Sequence, residues 1–107
     1  MARRTLTNNR RSYLCTYDVA SDKAGDRRRA RLFDLLMDHG EHVQFSVFLC
    51  VLTRSEIIRL NAAAEEILHR DHDQLLVIDL GPDGIDWTTG LICVGKVWTP
   101  QVRSRIV

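Results

Sequence analysis

What constrains this chain most is that its hydrophobic period switches repeatedly between two residues and about 3.6 residues. Tyr13, Cys15 and Tyr17 alternate with Leu14, Thr16 and Asp18 in a run of β-formers, which predicts a strand ending on Asp18. Ser21, Asp22, Gly25 and Asp26 then supply turn and N-cap chemistry. Ala30, Phe33, Leu36 and Met37 follow at helical spacing until His39-Gly40, where glycine suits a helix stop. From His42 to Val51 the β pattern returns, either as one strand or as a short hairpin reversing near Ser46. Thr53-Arg54-Ser55-Glu56 matches a capping box, and Ile57, Leu60, Ala64, Ile67 and Leu68 keep a helical period to about His69. Asp73 to Leu80 is a further β segment with a continuous apolar middle, closed by Gly81-Pro82-Asp83-Gly84.

Strands separated by helices imply right-handed crossovers that leave both helices on one face of the sheet. The expectation is therefore a mixed α/β (α+β) fold, a ferredoxin-like βαββαβ sandwich over residues 12–84. A flexible basic arm over residues 1–11 precedes it, and a loop-rich extension over residues 85–107, with one or two short strands, follows. Such a sheet has one helix-free face, and in a chain of 107 residues a second copy is its natural cover, so a homodimer is expected.

Composition excludes several classes. With 45% hydrophobic and 27% charged residues the chain reads as globular rather than disordered or fibrous. No apolar run approaches the roughly 18 residues of a membrane span, and no signal-peptide pattern follows the N-terminal arginines, so a cytoplasmic protein without membrane association is expected. Cys15, Cys50 and Cys93 lie in apolar runs without a CxxC pair and are read as reduced, buried thiols. His39/His42 and His69/His72 are placed at helix ends with no third ligand at diagnostic spacing, which argues against zinc. Trp87 and Trp98 are read as core or interface anchors.

Charge is distributed unevenly. Most of the 15 Lys and Arg residues stand before position 32, whereas residues 62–86 are acidic with Arg70 as their single basic member. All the basic residues but Lys23 and Lys96 are Arg, whose planar fork matches phosphate. Lys23, Arg27, Arg28, Arg29 and Arg31 fall at the start of the first helix, where positive charge opposes the helix dipole. Phosphate binding accounts for that placement, and so does a salt-bridged face with Asp22, Asp26 and Asp34. Asp18 likewise has a structural and a functional reading: it caps the Ser21 to Asp26 loop or pairs with a nearby arginine, or it binds a hard cation such as Mg²⁺ at a strand end. One carboxylate is a poor metal site by itself, so a metal-dependent function would need a twofold dimer that brings together Asp18 from each copy.

The segments YLCTYDVASDK, RRRAR and HGEHVQFSVFLCVLTRSE together resemble the small CRISPR-associated proteins of the Cas-two family, over about residues 12–80. The resemblance implies a ferredoxin-like homodimer acting in CRISPR adaptation, bridging two dimers of an integrase partner in a heterohexamer that captures and inserts spacer DNA. It further implies a metal-dependent endoribonuclease or DNA endonuclease, or a non-catalytic DNA-binding scaffold, acting on DNA and/or single-stranded RNA. Asp18 matches the family's metal-binding aspartate, with Mg²⁺ shared between the two Asp18 of the dimer, and Tyr17, Ser46 and Phe48 are the motif residues beside it. The final Arg105-Ile106-Val107 resembles a short closing strand that crosses the dimer. Leu49 and Val51 stand where acids are common in the family.

Overall fold

The computed structural model describes residues 9–82 and 86–100. In chain order these form β1 (Arg10–Asp18), α1 (Lys23–Met37), β2 (Glu41–Gln44), β3 (Val47–Thr53), α2 (Arg54–Ile67), β4 (Gln74–Pro82) and a 3₁₀ turn (Trp87–Gly90). The four strands make one antiparallel sheet in the order β2-β3-β1-β4, so each helix crosses from one strand to a non-neighbouring position, as a βαββαβ sandwich requires.

Register explains the two faces. Cys15 lies opposite Phe48 on β3 and Val77 on β4, and Tyr13 lies opposite Cys50, so this set points toward the helices. There it meets Leu32, Leu36 and Met37 of α1 and Ile57, Leu60 and Ala64 of α2, all buried in one core. Complete burial of a leucine such as Leu36 stabilises the fold by about 2 kcal/mol. The alternate set, Leu49, Leu14 and Ile78, runs across the same three strands on the opposite face. Among the described residues neither α1 nor α2 packs on that side, and Leu76, Ile78 and Leu80 of β4 remain about half exposed.

Helix boundaries follow from capping. Asp22 is the N-cap of α1 and its Oδ1 accepts from the Gly25 backbone N–H at 2.6 Å. Gly25 is buried so closely against the Ala20 carbonyl that a Cβ there would collide with it, which is why a glycine sits in the first turn. Thr53 forms the full capping box with Glu56, a motif worth about 1 kcal/mol.

His42 to Val51 takes the hairpin alternative: Gln44 pairs with Val47, and Phe45-Ser46 make the reversal near Ser46. Other expectations need correction. His42 lies in β2 rather than at a helix end, with its ring stacked 4.7 Å from Phe48 and edge-on to Phe33. β1 starts at Arg10, so Arg10 and Arg11, assigned to the arm, are ladder residues; they pair with Glu56 and Asp79 respectively. Residues 1–8 of that arm lie outside the described residues, as do Arg105, Ile106 and Val107 of the closing strand. Among the described residues the tail forms no strand; Asp86 instead caps a 3₁₀ turn by accepting from the Thr88 N–H and hydroxyl. Cys15 and Cys50 are buried with their sulfurs 3.9 Å apart, and their hydrogen bond, then burial, pushes the Cys50 thiol up. Cys93 is exposed, in a tail segment without regular secondary structure where the alternation of a strand does not turn it inward; its thiol donates to the Lys96 carbonyl. No helix among the described residues is long and apolar enough to cross a membrane.

Candidate functional site

An open groove of about 1280 Å³ runs between the C-terminal end of β1, one side of α1, the β2–β3 turn and tail residues 93–99. Tyr17, Asp18 and Ser46 all line it, so the topology brings together residues well separated in sequence. Asp18 is exposed at the end of β1, and no side chain among the described residues pairs with its carboxylate. Phe48 sits beneath, fully buried, stacked on Tyr17 at 6.4 Å and on His42. Burial also pushes the Tyr17 phenol up, with Arg29 opposing.

The segment around Asp18 is held from both sides. The Tyr17 backbone N–H donates to the Ser46 carbonyl at 3.3 Å, tying the strand end to the hairpin tip. Arg29 reaches back from α1, and its Nη2 donates to the carbonyls of Val19 and Ala20 at 2.9 and 3.0 Å, while Nη1 pairs with Asp26. Arg29 thus satisfies carbonyls that the β1 ladder leaves open and fixes the chain immediately after Asp18.

The basic run divides by helical geometry. Arg28 turns toward the α2–β4 connection and makes a two-point pair with Asp73, Nε to Oδ2 at 2.5 Å and Nη2 to Oδ1 at 3.2 Å. Asp73 has no exposed side-chain surface and also accepts from the backbone N–H groups of Ala20 and His69. The Arg28 guanidinium and these two donors hold its carboxyl well below the usual carboxylate range. Lys23, Arg27 and Arg31 are exposed on α1. Arg28 and Arg29 are committed to the protein's own acceptors, and the other three face solvent.

Sequence reading missed other groove residues. Phe45 lies in the turn of the hairpin, one of the two alternatives for His42 to Val51, and Asp26, Asp34, His42, Lys96 and Trp98 join the lining. The Trp98 indole N–H donates to the Val43 carbonyl on the outer edge of β2, and Trp87 packs edge-on against it at 5.2 Å, which anchors the tail as one wall. A turn signal near Ser46 was the only available hint of the Phe45 position. The tail's path had no local signal at all. Among the described residues no group of three or more His, Cys, Asp or Glu side chains is arranged to hold a metal; Asp18 shares the groove lining with Asp26, which pairs with Arg29, and with Asp34.

Comparison with known proteins agrees with this architecture. The family model described as CRISPR associated protein Cas2 matches residues 11–86. A Synechocystis protein named CRISPR-associated endoribonuclease Cas2 1 is 41% identical over 76 residues, 71% of this chain and 81% of its own length. The Geobacter sulfurreducens protein named CRISPR-associated endoribonuclease Cas2 is 34% identical over 95 residues, 89% of this chain and 95% of its own. The crystal structure of Streptococcus pyogenes Cas2 superposes with a TM-score of 0.69 at 29% identity, covering 78% of this chain and 99% of that one. The family-model match over residues 11–86, these relatives and the antiparallel β2-β3-β1-β4 sheet together place the chain in the CRISPR-associated Cas2 family.

Proposed function

We propose that the chain works as a homodimeric nucleic-acid-binding protein of CRISPR adaptation and that Asp18 supports Mg²⁺-dependent phosphodiester hydrolysis. The observation that carries this reading is an exposed carboxylate, unpaired among the described residues, held at a strand end in a groove beside a basic helix. Relatives bearing the endoribonuclease name support the same chemistry.

The donor chemistry fits magnesium. Mg²⁺ prefers oxygen ligands and commonly takes one or two carboxylates, with water and phosphate oxygens completing its shell. Asp18 from each copy of a twofold dimer would hold it. When bound, the ion supplies positive charge to a phosphoryl oxygen and lowers the pKa of a bound water. Everything else is done by the chain. Arg29 and the Tyr17–Ser46 backbone link fix the segment that carries Asp18. Lys23, Arg27 and Arg31 hold phosphates along α1, contacts that position a backbone without reading bases. The helix-free sheet face supplies the apolar surface that a second copy would bury. In this reading one dimer bridges two dimers of an integrase from the same locus.

A non-catalytic scaffold is the second reading, since among the described residues of one protomer no three His, Cys, Asp or Glu side chains converge as metal ligands. Cleavage of end-labelled single-stranded RNA and of DNA, with Mg²⁺ and with chelator, decides between them. Cleavage that chelator stops and Asp18→Ala abolishes supports the catalytic reading. A parent protein that binds but never cleaves overturns it and leaves the scaffold.

A further inference from the structure

Phe45 occupies the tip of the β2–β3 reversal with φ of 43° and is 87% exposed, although it borders the groove that contains Asp18. Two-residue hairpin turns ordinarily place Gly, Asn or Asp where φ is positive, because a Cβ is strained there. The aromatic ring returns nothing to the protomer for that strain, since it is almost wholly in solvent. The turn is nevertheless held firmly. His42 Nε2 hydrogen-bonds the Phe45 carbonyl at 2.7 Å, and the Ser46 carbonyl accepts from Tyr17 N–H. The His42 ring is itself wedged between Phe33 and Phe48. An exposed apolar ring on a braced turn, one strand away from an open carboxylate, is arranged to meet a flat ligand.

We propose that Phe45 is a stacking platform for an unpaired nucleobase, and that it is the residue through which the Asp18 groove favours a single strand over a duplex. This rests on the nucleic-acid reading above and adds a base-contacting residue to it. Every base presents a π-face that an aromatic side chain can cover, but in a duplex both faces are already stacked on neighbouring bases. The ring therefore rewards only a strand whose bases are free, while exposed Lys23, Arg27 and Arg31 serve either form through phosphate. His42 acts as a positioning residue, through its hydrogen bond to the Phe45 carbonyl.

The test measures binding rather than cleavage, in an Asp18→Ala background, so that failure of the hydrolytic reading leaves it intact. Matched single-stranded RNA, single-stranded DNA and duplex DNA of one sequence are titrated against Phe45→Ala, Phe45→Gly and Phe45→Trp at fixed salt. Phe45→Gly relieves the backbone strain, so a loss of binding there cannot come from an unfolded turn. Both truncations are expected to weaken single-strand binding by at least about fivefold with duplex affinity changed less than about twofold, and Phe45→Trp to restore it. A loss with RNA alone or with DNA alone supports the platform and names the polymer. Unchanged single-strand affinity in both truncations overturns the proposal, as does an equal loss for duplex. Loss of dimer or of integrase co-purification with single-strand binding intact also overturns it and reassigns Phe45 to a protein contact. A parent that binds no nucleic acid at all overturns this proposal and the reading beneath it together.

Discussion

Asp18 and Asp73 show how much environment separates two residues of the same type. Asp18 is exposed without a partner among the described residues, so its replacement by alanine is expected to change stability by less than about 0.5 kcal/mol while lowering Mg²⁺-dependent cleavage at least about a hundredfold. Matched unfolding curves and cleavage rates check this; a variant that cleaves like the parent removes Asp18 from the chemistry. Asp73 is the opposite case, buried against Arg28 and two backbone donors. Asp73→Asn leaves the guanidinium poorly matched and is expected to cost about 3 kcal/mol, lowering Tm by more than about 10 °C. The sign of its pH dependence follows from the lowered folded-state pKa. The contribution is complete above the ordinary unfolded value of about 3.9 and is lost as pH falls below it toward the lower folded value. The stability gap between parent and Asp73→Asn is therefore expected to narrow below about pH 4, and a gap that stays constant there contradicts this role. Asp18 was legible in the sequence because it closes a strand with β-type alternation. The Asp73 role was not, because its partners Ala20 and Arg28 meet it only through tertiary packing.

At the scale of elements, α1 divides its basic residues between two duties. Arg28 and Arg29 brace the β1–α1 loop, while Lys23, Arg27 and Arg31 face outward. Replacing the outward three with alanine is expected to weaken nucleic-acid binding and to flatten the salt dependence of log K, each lost phosphate contact reducing the slope by about 0.7 to 0.9. Arg28→Ala is expected to lower Tm and leave that slope unchanged. A slope that survives loss of the outward three argues against α1 as the phosphate face. The sequence placed the arginines on the helix correctly, since turn chemistry and periodicity are local signals. Which arginine faces inward depends on the position of the α2–β4 connection, which no local pattern encodes. The hairpin shows the same limit: its β-formers were evident, but Phe45 in a turn breaks the usual Gly or Asn preference.

At the scale of the whole molecule, the alternation that buries Cys15, Phe48 and Cys50 under the helices necessarily turns Leu14, Leu49 and Ile78 to the other side. That arithmetic made the ferredoxin-like sandwich readable from sequence. It also leaves Leu76, Ile78 and Leu80 about half exposed along β4. Ile78→Asp is expected to shift the protein to monomer in sedimentation and to abolish cleavage while the thermal transition persists, because a monomer holds one Asp18. A fully active monomer would contradict the shared site. The tail was the least legible part, since Trp98 is anchored by a backbone carbonyl of β2 and not by any motif of its own. The most direct measurement is cleavage by mixed dimers, co-expressed with two tags and purified for one native and one Asp18→Ala subunit. Shared coordination predicts that these dimers fall to the level of the Asp18→Ala homodimer, whereas retention of about half the parent rate would mean that each subunit acts alone and would contradict the account.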